Sequence, residues 1–261
     1  MRSSPSPPID PLALGRRDRL LRLIDRPFAH RGLHGQGRVE NSLAAFDAAL
    51  AAGMGFELDV QETADGHALV FHDYVLERLT GRKGRVRERV AGDLAGITLA
   101  GTDEALFTLA DLIRRLGADA RILVEVKTPN RSVWRLCRAV LDAIGGRESQ
   151  IAIMSFNPQV GAWFAHQAPE VLRGLVVSEA DEIDFWSRMK GSIKRILSLA
   201  RARPDFLAYD IRSLAAPMPL RLRAAGMPML TWTVRSAHDL ARARQHADQI
   251  IHELPEALWP R

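Results

Sequence analysis

The chain carries two carboxylates two residues apart, Glu57 and Asp59, inside the run GFELDV. A third, Glu125, stands at the same spacing from Lys127 in RILVEVK. On an extended strand, residues i and i+2 share a face, so Glu57 and Asp59 point one way while Phe56, Leu58 and Val60 point the other. Glu125 and Lys127 likewise oppose Val124 and Val126. Apolar neighbours on both sides mark these as interior strands. Like charges buried side by side are costly unless a cation neutralises them, and oxygen donors favour a hard divalent ion, Mg²⁺ or Ca²⁺. Nearby lie His30 and Arg31 in AHRG and His72 in VFHD. Arg31 and Lys127 are cations suited to a phosphate. Two histidines can split a proton transfer, one taking a proton from an attacking hydroxyl and the other giving one to the leaving oxygen. Metal, cation pair and histidine pair together describe phosphodiester cleavage.

The elements that must position these groups alternate. Residues 1–9 are Ser/Pro-rich and read as a disordered tail; Asp10 and Pro11 open a helix reaching about Asp25, and 10–261 reads as one domain. The runs AHRG, GFELDV, ILVEVK, IAIMSF, GLVV, FLAYD, MLTWTV and QIIHE give eight candidate strands, with ALVFHD folding back as a hairpin after the second. Between them fall helices with readable starts, such as Asn41 or Ser42, Thr108 with Asp111, Asn157-Pro158, and Ser236 with Asp239. Eight strand–helix units in about 250 residues are the bookkeeping of an α/β TIM (β/α)8 barrel. A doubly wound open sheet is disfavoured because no glycine fingerprint follows an early strand. In a barrel, His30, Glu57, Asp59, Glu125, Lys127, Ser155, Asp210 and Trp232 would all come to one mouth. From Tyr74 to about Leu106 periodicity weakens and the segment turns basic, which reads as an insertion after the second strand, placed to act as a lid or specificity element.

Composition narrows the partners. Hydrophobic residues make up 47% of the chain, as in a packed globular protein, and no apolar run approaches the roughly 18 residues of a membrane span. The reading is of a soluble cytoplasmic protein. Cys137 stands alone at helical spacing with Val133 and Val140, a small buried hydrophobe rather than half of a disulfide. The net charge of +5 and pI near 9.9 favour anionic substrates and are compatible with transient membrane-surface contact. No aromatic-interleaved basic patch or recognition helix points to nucleic acid.

Taken together the motifs resemble the glycerophosphodiester phosphodiesterase family. The resemblance runs through HRG at His30 to Gly32, EN at Glu40 and Asn41, ELDV at Glu57 to Val60, and the T-x-D-G turn at Thr63 to Gly66. It continues through HD at His72 and Asp73, EVK at Glu125 to Lys127, SF at Ser155 and Phe156, and WTV at Trp232 to Val234. It implies a TIM barrel with a small insertion after the second strand, cleaving glycerophosphodiesters to an alcohol and sn-glycerol 3-phosphate with Mg²⁺ or Ca²⁺. By matching position, the resemblance implies Glu57, Asp59 and Glu125 as metal ligands and His30 and His72 as the acid/base pair. It likewise implies Arg31 and Lys127 as phosphate contacts and Trp232 as part of the pocket wall. Val39 replaces the usual proline, Arg235 an asparagine after WTV, and HE in IIHELPE a threonine-aspartate pair. None of these removes a catalytic group.

Other chemistries compete. Lysophospholipids are alternative substrates if the insertion offers an apolar wall. Lys127 could form a Schiff base as in an aldolase, but three neighbouring carboxylates oppose the lowered pKa that role needs. A barrel that only binds phosphorylated ligands would have no use for both histidines.

Overall fold

The computed structural model describes residues 15–128, 132–179 and 185–259. The tail, the start of the first helix at Asp10 and Pro11, and the start of the long helix expected near Asp181 lie outside them. Among the described residues nine strands form one sheet: β1 (Phe28–Ala29), β2 (Gly55–Glu62), β3 (Ala68–Val70), β4 (Ile122–Val126), β5 (Ile151–Ser155), β6 (Leu172–Val177), β7 (Phe206–Asp210), β8 (Met229–Val234) and β9 (Gln249–His252). Eight run parallel in chain order, and β1 pairs on both sides, Phe28 with Gly55 of β2 and with Ile251 of β9, so the barrel closes. The ninth, β3, folds back antiparallel on β2 as the hairpin that the sequence implies.

Alternation divides each strand between two cores. Phe56, Leu58, Val60, Ile122, Val124 and Val126 face outward, packed under the helices Leu43–Ala51, Leu109–Arg115 and Trp134–Ile144. Cys137 lies fully buried in that layer, as its spacing predicts. Inside, Phe28, Leu123, Ala152, Leu172, Phe206 and Leu230 fill the barrel together with Leu20 and Leu23 of the helix Arg16–Leu23. Arg16 of that helix reaches Asp205 and the carbonyl of Val171, fixing it across the strands' N-terminal ends. The interior is tight enough that β6 needs Gly174, because a Cβ there would lie 2.4 Å from the Phe206 ring. One end of the barrel is thus plugged with hydrocarbon, and the polar strand ends gather at the other.

Helix starts follow the sequence. Thr108 and Asp111 form a reciprocal capping box, and Ser42, Asn157 and Ser236 each accept a backbone N–H in the first turn. The segment 74–106 is a folded excursion rather than a loose loop. Its helices Glu77–Thr80 and Ala91–Leu94 bury Leu76, Leu79, Val86, Leu94, Leu99 and Leu106 against Leu69 and Phe71 of the hairpin. Its elements are too short to display a period, which is why the sequence reads as irregular there. No helix among the described residues is long and apolar enough to cross a membrane.

Candidate active site

The barrel register sets Asp59 directly beside Glu125. Glu57 and Asp59 are 1% and 2% exposed, and oxygens of Glu57, Asp59 and Glu125 lie within 4.8 Å of one another. Asp59 is held by the Asn41 amide at 3.0 Å, and ion pairs reach it from Arg31 Nε at 3.3 Å and Lys127 Nζ at 3.5 Å. Glu57 accepts the Arg31 backbone N–H through Oε2 at 3.1 Å, while its buried Oε1 has no protein partner. Burial, then the charges of Asp59 and Glu125, pushes the Glu57 carboxyl well above the usual range; burial and Asp59 push Glu125 up as well. Cation density here falls short of carboxylate density, as the sequence spacing anticipates.

Local backbone explains the HRG and EN motifs. Gly32 sits at φ +79°, where a Cβ would lie 2.7 Å from the Ala45 backbone, so the strand-to-loop turn can press onto the helix Leu43–Ala51 only through glycine. Asn41 adopts φ +56°, a left-handed conformation that its short polar side chain tolerates, and its amide thereby turns inward to Asp59. The helix cap falls to Ser42.

Both histidines lean on carboxylates. His30, just past β1, has its Nδ1 2.5 Å from Glu253 Oε1, and its Nε2 lies 3.9 Å from Glu57 Oε2. Burial lowers the His30 pKa, outweighing the hydrogen bond that its ring donates to Glu253. His72 Nδ1 is 2.7 Å from Asp73 Oδ1. Asp73 is gripped by Arg78, which also bonds Glu40 at 2.7 and 3.0 Å, and Glu40 in turn receives Arg31 at 2.8 Å. The Arg78 hydrogen bond holds Asp73 down at about 2; at Glu40, Arg78 and Arg31 overcome burial and bring that carboxyl to about 2. Gln61 donates to the carbonyls of Phe71 and His72, fixing the turn that presents His72.

His30, Arg31, Glu57, His72, Glu125, Lys127 and Trp232 all line one open cavity of about 470 Å³ at the barrel mouth; Asp59 lies just beneath. Trp232 stands edge-on to Phe156 at 5.5 Å and donates its indole N–H to the Ala208 carbonyl, making an apolar wall. Ser155, expected at the mouth, is turned away: its hydroxyl donates to the Val126 carbonyl and accepts from the Asn157 N–H. Sequence reasoning missed Glu253 and Arg78 as partners of the site. The signal for Glu253 was a carboxylate ending the strand that must neighbour β1; Arg78 left none. At Lys127, burial favours the neutral amine, but Asp59 and Glu125 outweigh it and raise the pKa, contrary to what a Schiff-base lysine needs.

Residues 30–252 match the model of the glycerophosphoryl diester phosphodiesterase family. The chain belongs to that family. A phosphodiesterase of this family is a phosphoric diester hydrolase, in keeping with the carboxylates, cations and histidines at the mouth. The glycerophosphodiester phosphodiesterase of Caldanaerobacter subterraneus subsp. tengcongensis is 28% identical over 249 residues, covering 88% of this chain and 94% of that protein. The Bacillus subtilis protein YqiK is 33% identical over 162 residues, 58% of this chain, and the match spans 66% of YqiK's length. Among solved structures, the Thermotoga maritima glycerophosphodiester phosphodiesterase superposes with a TM-score of 0.68 at 24% identity, covering 87% of this chain and 93% of that one. An Oleispira antarctica phosphodiesterase in complex with the product sn-glycerol-3-phosphate gives 0.73 at 22% identity, covering 88% and 94%. At such identities these superpositions speak to the barrel, and the family model carries the assignment.

Proposed function

We propose that the mouth cavity hydrolyses glycerophosphodiesters to an alcohol and sn-glycerol 3-phosphate, using a divalent cation, Mg²⁺ or Ca²⁺, held by Glu57, Asp59 and Glu125. The observation that carries this reading is the unpartnered Glu57 Oε1, buried where Glu57, Asp59 and Glu125 converge, a cluster in which burial and mutual repulsion raise the Glu57 and Glu125 carboxyls. An oxygen-only donor set fits a hard cation, and a bound ion would supply the missing positive charge and polarise a phosphoryl oxygen. Arg31 and Lys127 flank that point and hold the phosphate, while Trp232 and Phe156 offer their rings to the carbon skeleton of the glycerol. His30 and His72 move the protons. Each has Nδ1 tied to a carboxylate, which fixes the ring and leaves Nε2 for the substrate. The product held by the Oleispira relative agrees with the products proposed here.

The test is hydrolysis of glycerophosphocholine read by enzymatic detection of sn-glycerol 3-phosphate, with EDTA and after re-addition of Mg²⁺ or Ca²⁺. Activity lost to chelator and restored by one ion is expected, and Glu57→Gln should weaken calorimetric metal affinity by more than about tenfold. Unchanged affinity for both ions, or no phosphorylated glycerol released, refutes the reading.

A further inference from the structure

A second cavity, about 580 Å³, shares Lys127 with the mouth cavity. Gln61, whose amide holds the turn carrying His72, lines it too. Tyr74 forms part of its wall, and Arg85 and Arg87 of the excursion and Arg135 of the helix after β4 bring cations to it. Opposed to these and Lys127 stands one carboxylate in the lining, Glu62, and Arg135 takes it at 3.0 Å. Arg135 also donates to the Ala64 carbonyl. Arg85 approaches Glu88 only to 3.8 Å, with both side chains more than half exposed, and Arg87 has no ion pair among the described residues. The two cavities therefore differ in charge balance. The first is lined by carboxylates and by Arg and Lys side chains in equal number, whereas in the second three arginines and Lys127 stand against Glu62 alone.

A phosphodiester has two ester arms. With its phosphate at Arg31 and Lys127 and its glycerol against Trp232, the other arm would find the second cavity on the far side of Lys127, the residue that lines both. We propose that this cavity is the subsite for the leaving alcohol, and that it selects alcohols bearing a further anionic group, a phosphate or a carboxylate. The proposal rests on the phosphodiesterase reading above and adds a substrate class to it. Its physical basis is an excess of positive charge along one cavity, with Arg87 outside any ion pair among the described residues, which attracts anions.

The experiment compares glycerophosphoglycerol with the same diester carrying a phosphomonoester on its terminal hydroxyl, and includes glycerophosphocholine as the cationic counterpart. The expected order of kcat/KM is phosphorylated, then neutral, then cationic. The first step should be about tenfold at low salt, as one added charge near two or three arginines implies, and should shrink with rising ionic strength. In an Arg85→Gln/Arg87→Gln variant the ratio of phosphorylated to neutral diester should fall toward one. Equal kcat/KM for the pair, or a ratio unchanged in that variant, overturns the proposal. Dissociation constants for the same pair, measured by calorimetry on the metal-loaded His72→Ala protein, give an independent ratio. If no diester is hydrolysed, the activity reading fails, and this binding ratio alone decides whether the cavity is an anion subsite.

Discussion

Glu253 Oε1 lies 2.5 Å from His30 Nδ1, tying the last strand of the barrel to the first. The same carboxylate receives Arg235 at 2.6 Å and has His34 Nε2 at 3.8 Å. Against the cost of burial, hydrogen bonds from His30, His34 and Arg235 hold Glu253 far below the ordinary carboxylate range. It therefore remains an anion that orients the His30 ring. Glu253→Gln should lower kcat at least about 10²-fold with little change in KM, and Glu253→Asp should recover part of the loss. Steady-state kinetics with kcat within a few-fold of the parent would reduce the contact to packing.

His30→Ala and His72→Ala should each cost about 10²- to 10⁴-fold in kcat while calorimetry still finds the metal bound. The double variant should lose much less than the product of the two, the signature of a pair that acts as one unit. Imidazole added to His72→Ala should restore measurable turnover. A folded single variant with near-parent activity at neutral pH removes that histidine from the mechanism.

Arg78 is the excursion's direct hand on the site, bridging Asp73 and Glu40. Replacing it with alanine frees the carboxylate that steadies His72 and the one that receives Arg31. We expect kcat to fall about tenfold, the scale of losing an orienting neighbour, with metal affinity retained. An unaltered kcat would mean that the packing of 74–106 alone places His72.

His252 reports on acid stability. It is 1% exposed, its Nδ1 accepts the Leu254 N–H at 3.2 Å, and its Nε2 has no partner. Burial lowers its pKa from 6.5 to about 4, aided by His30 and opposed by Glu253. Between those values the unfolded chain binds a proton that the folded chain refuses, so stability is full above pH 6.5 and declines as pH falls toward 4. The loss approaches about 3 kcal/mol. Denaturant unfolding at pH 7.5 and pH 5 should show His252→Thr losing less stability on acidification than the parent; an equal loss places the acid sensitivity elsewhere.

The sequence by itself determined what local rules govern. Alternation in GFELDV and RILVEVK decided which side chains face inward, and Thr108 with Asp111 or Asn157 with Pro158 decided where helices start. These signals survive because strand pleat and helix caps act over a few residues. The count of strand–helix units then implied a barrel, and a barrel implied that His30, Glu57, Glu125 and Trp232 meet. Tertiary structure decided the partnerships. Glu253 reaches His30 only because β9 closes against β1, 223 residues later in the chain. Arg78 reaches Glu40 and Asp73 only because a short-helix excursion with its own apolar core docks beside the hairpin. Ser155, at a strand end like the others, turned away because the Val126 carbonyl and the Asn157 N–H claimed its hydroxyl. Contacts of this kind depend on which backbone groups closure leaves unpaired and which charges it brings within a few ångströms, and neither is written in residue spacing.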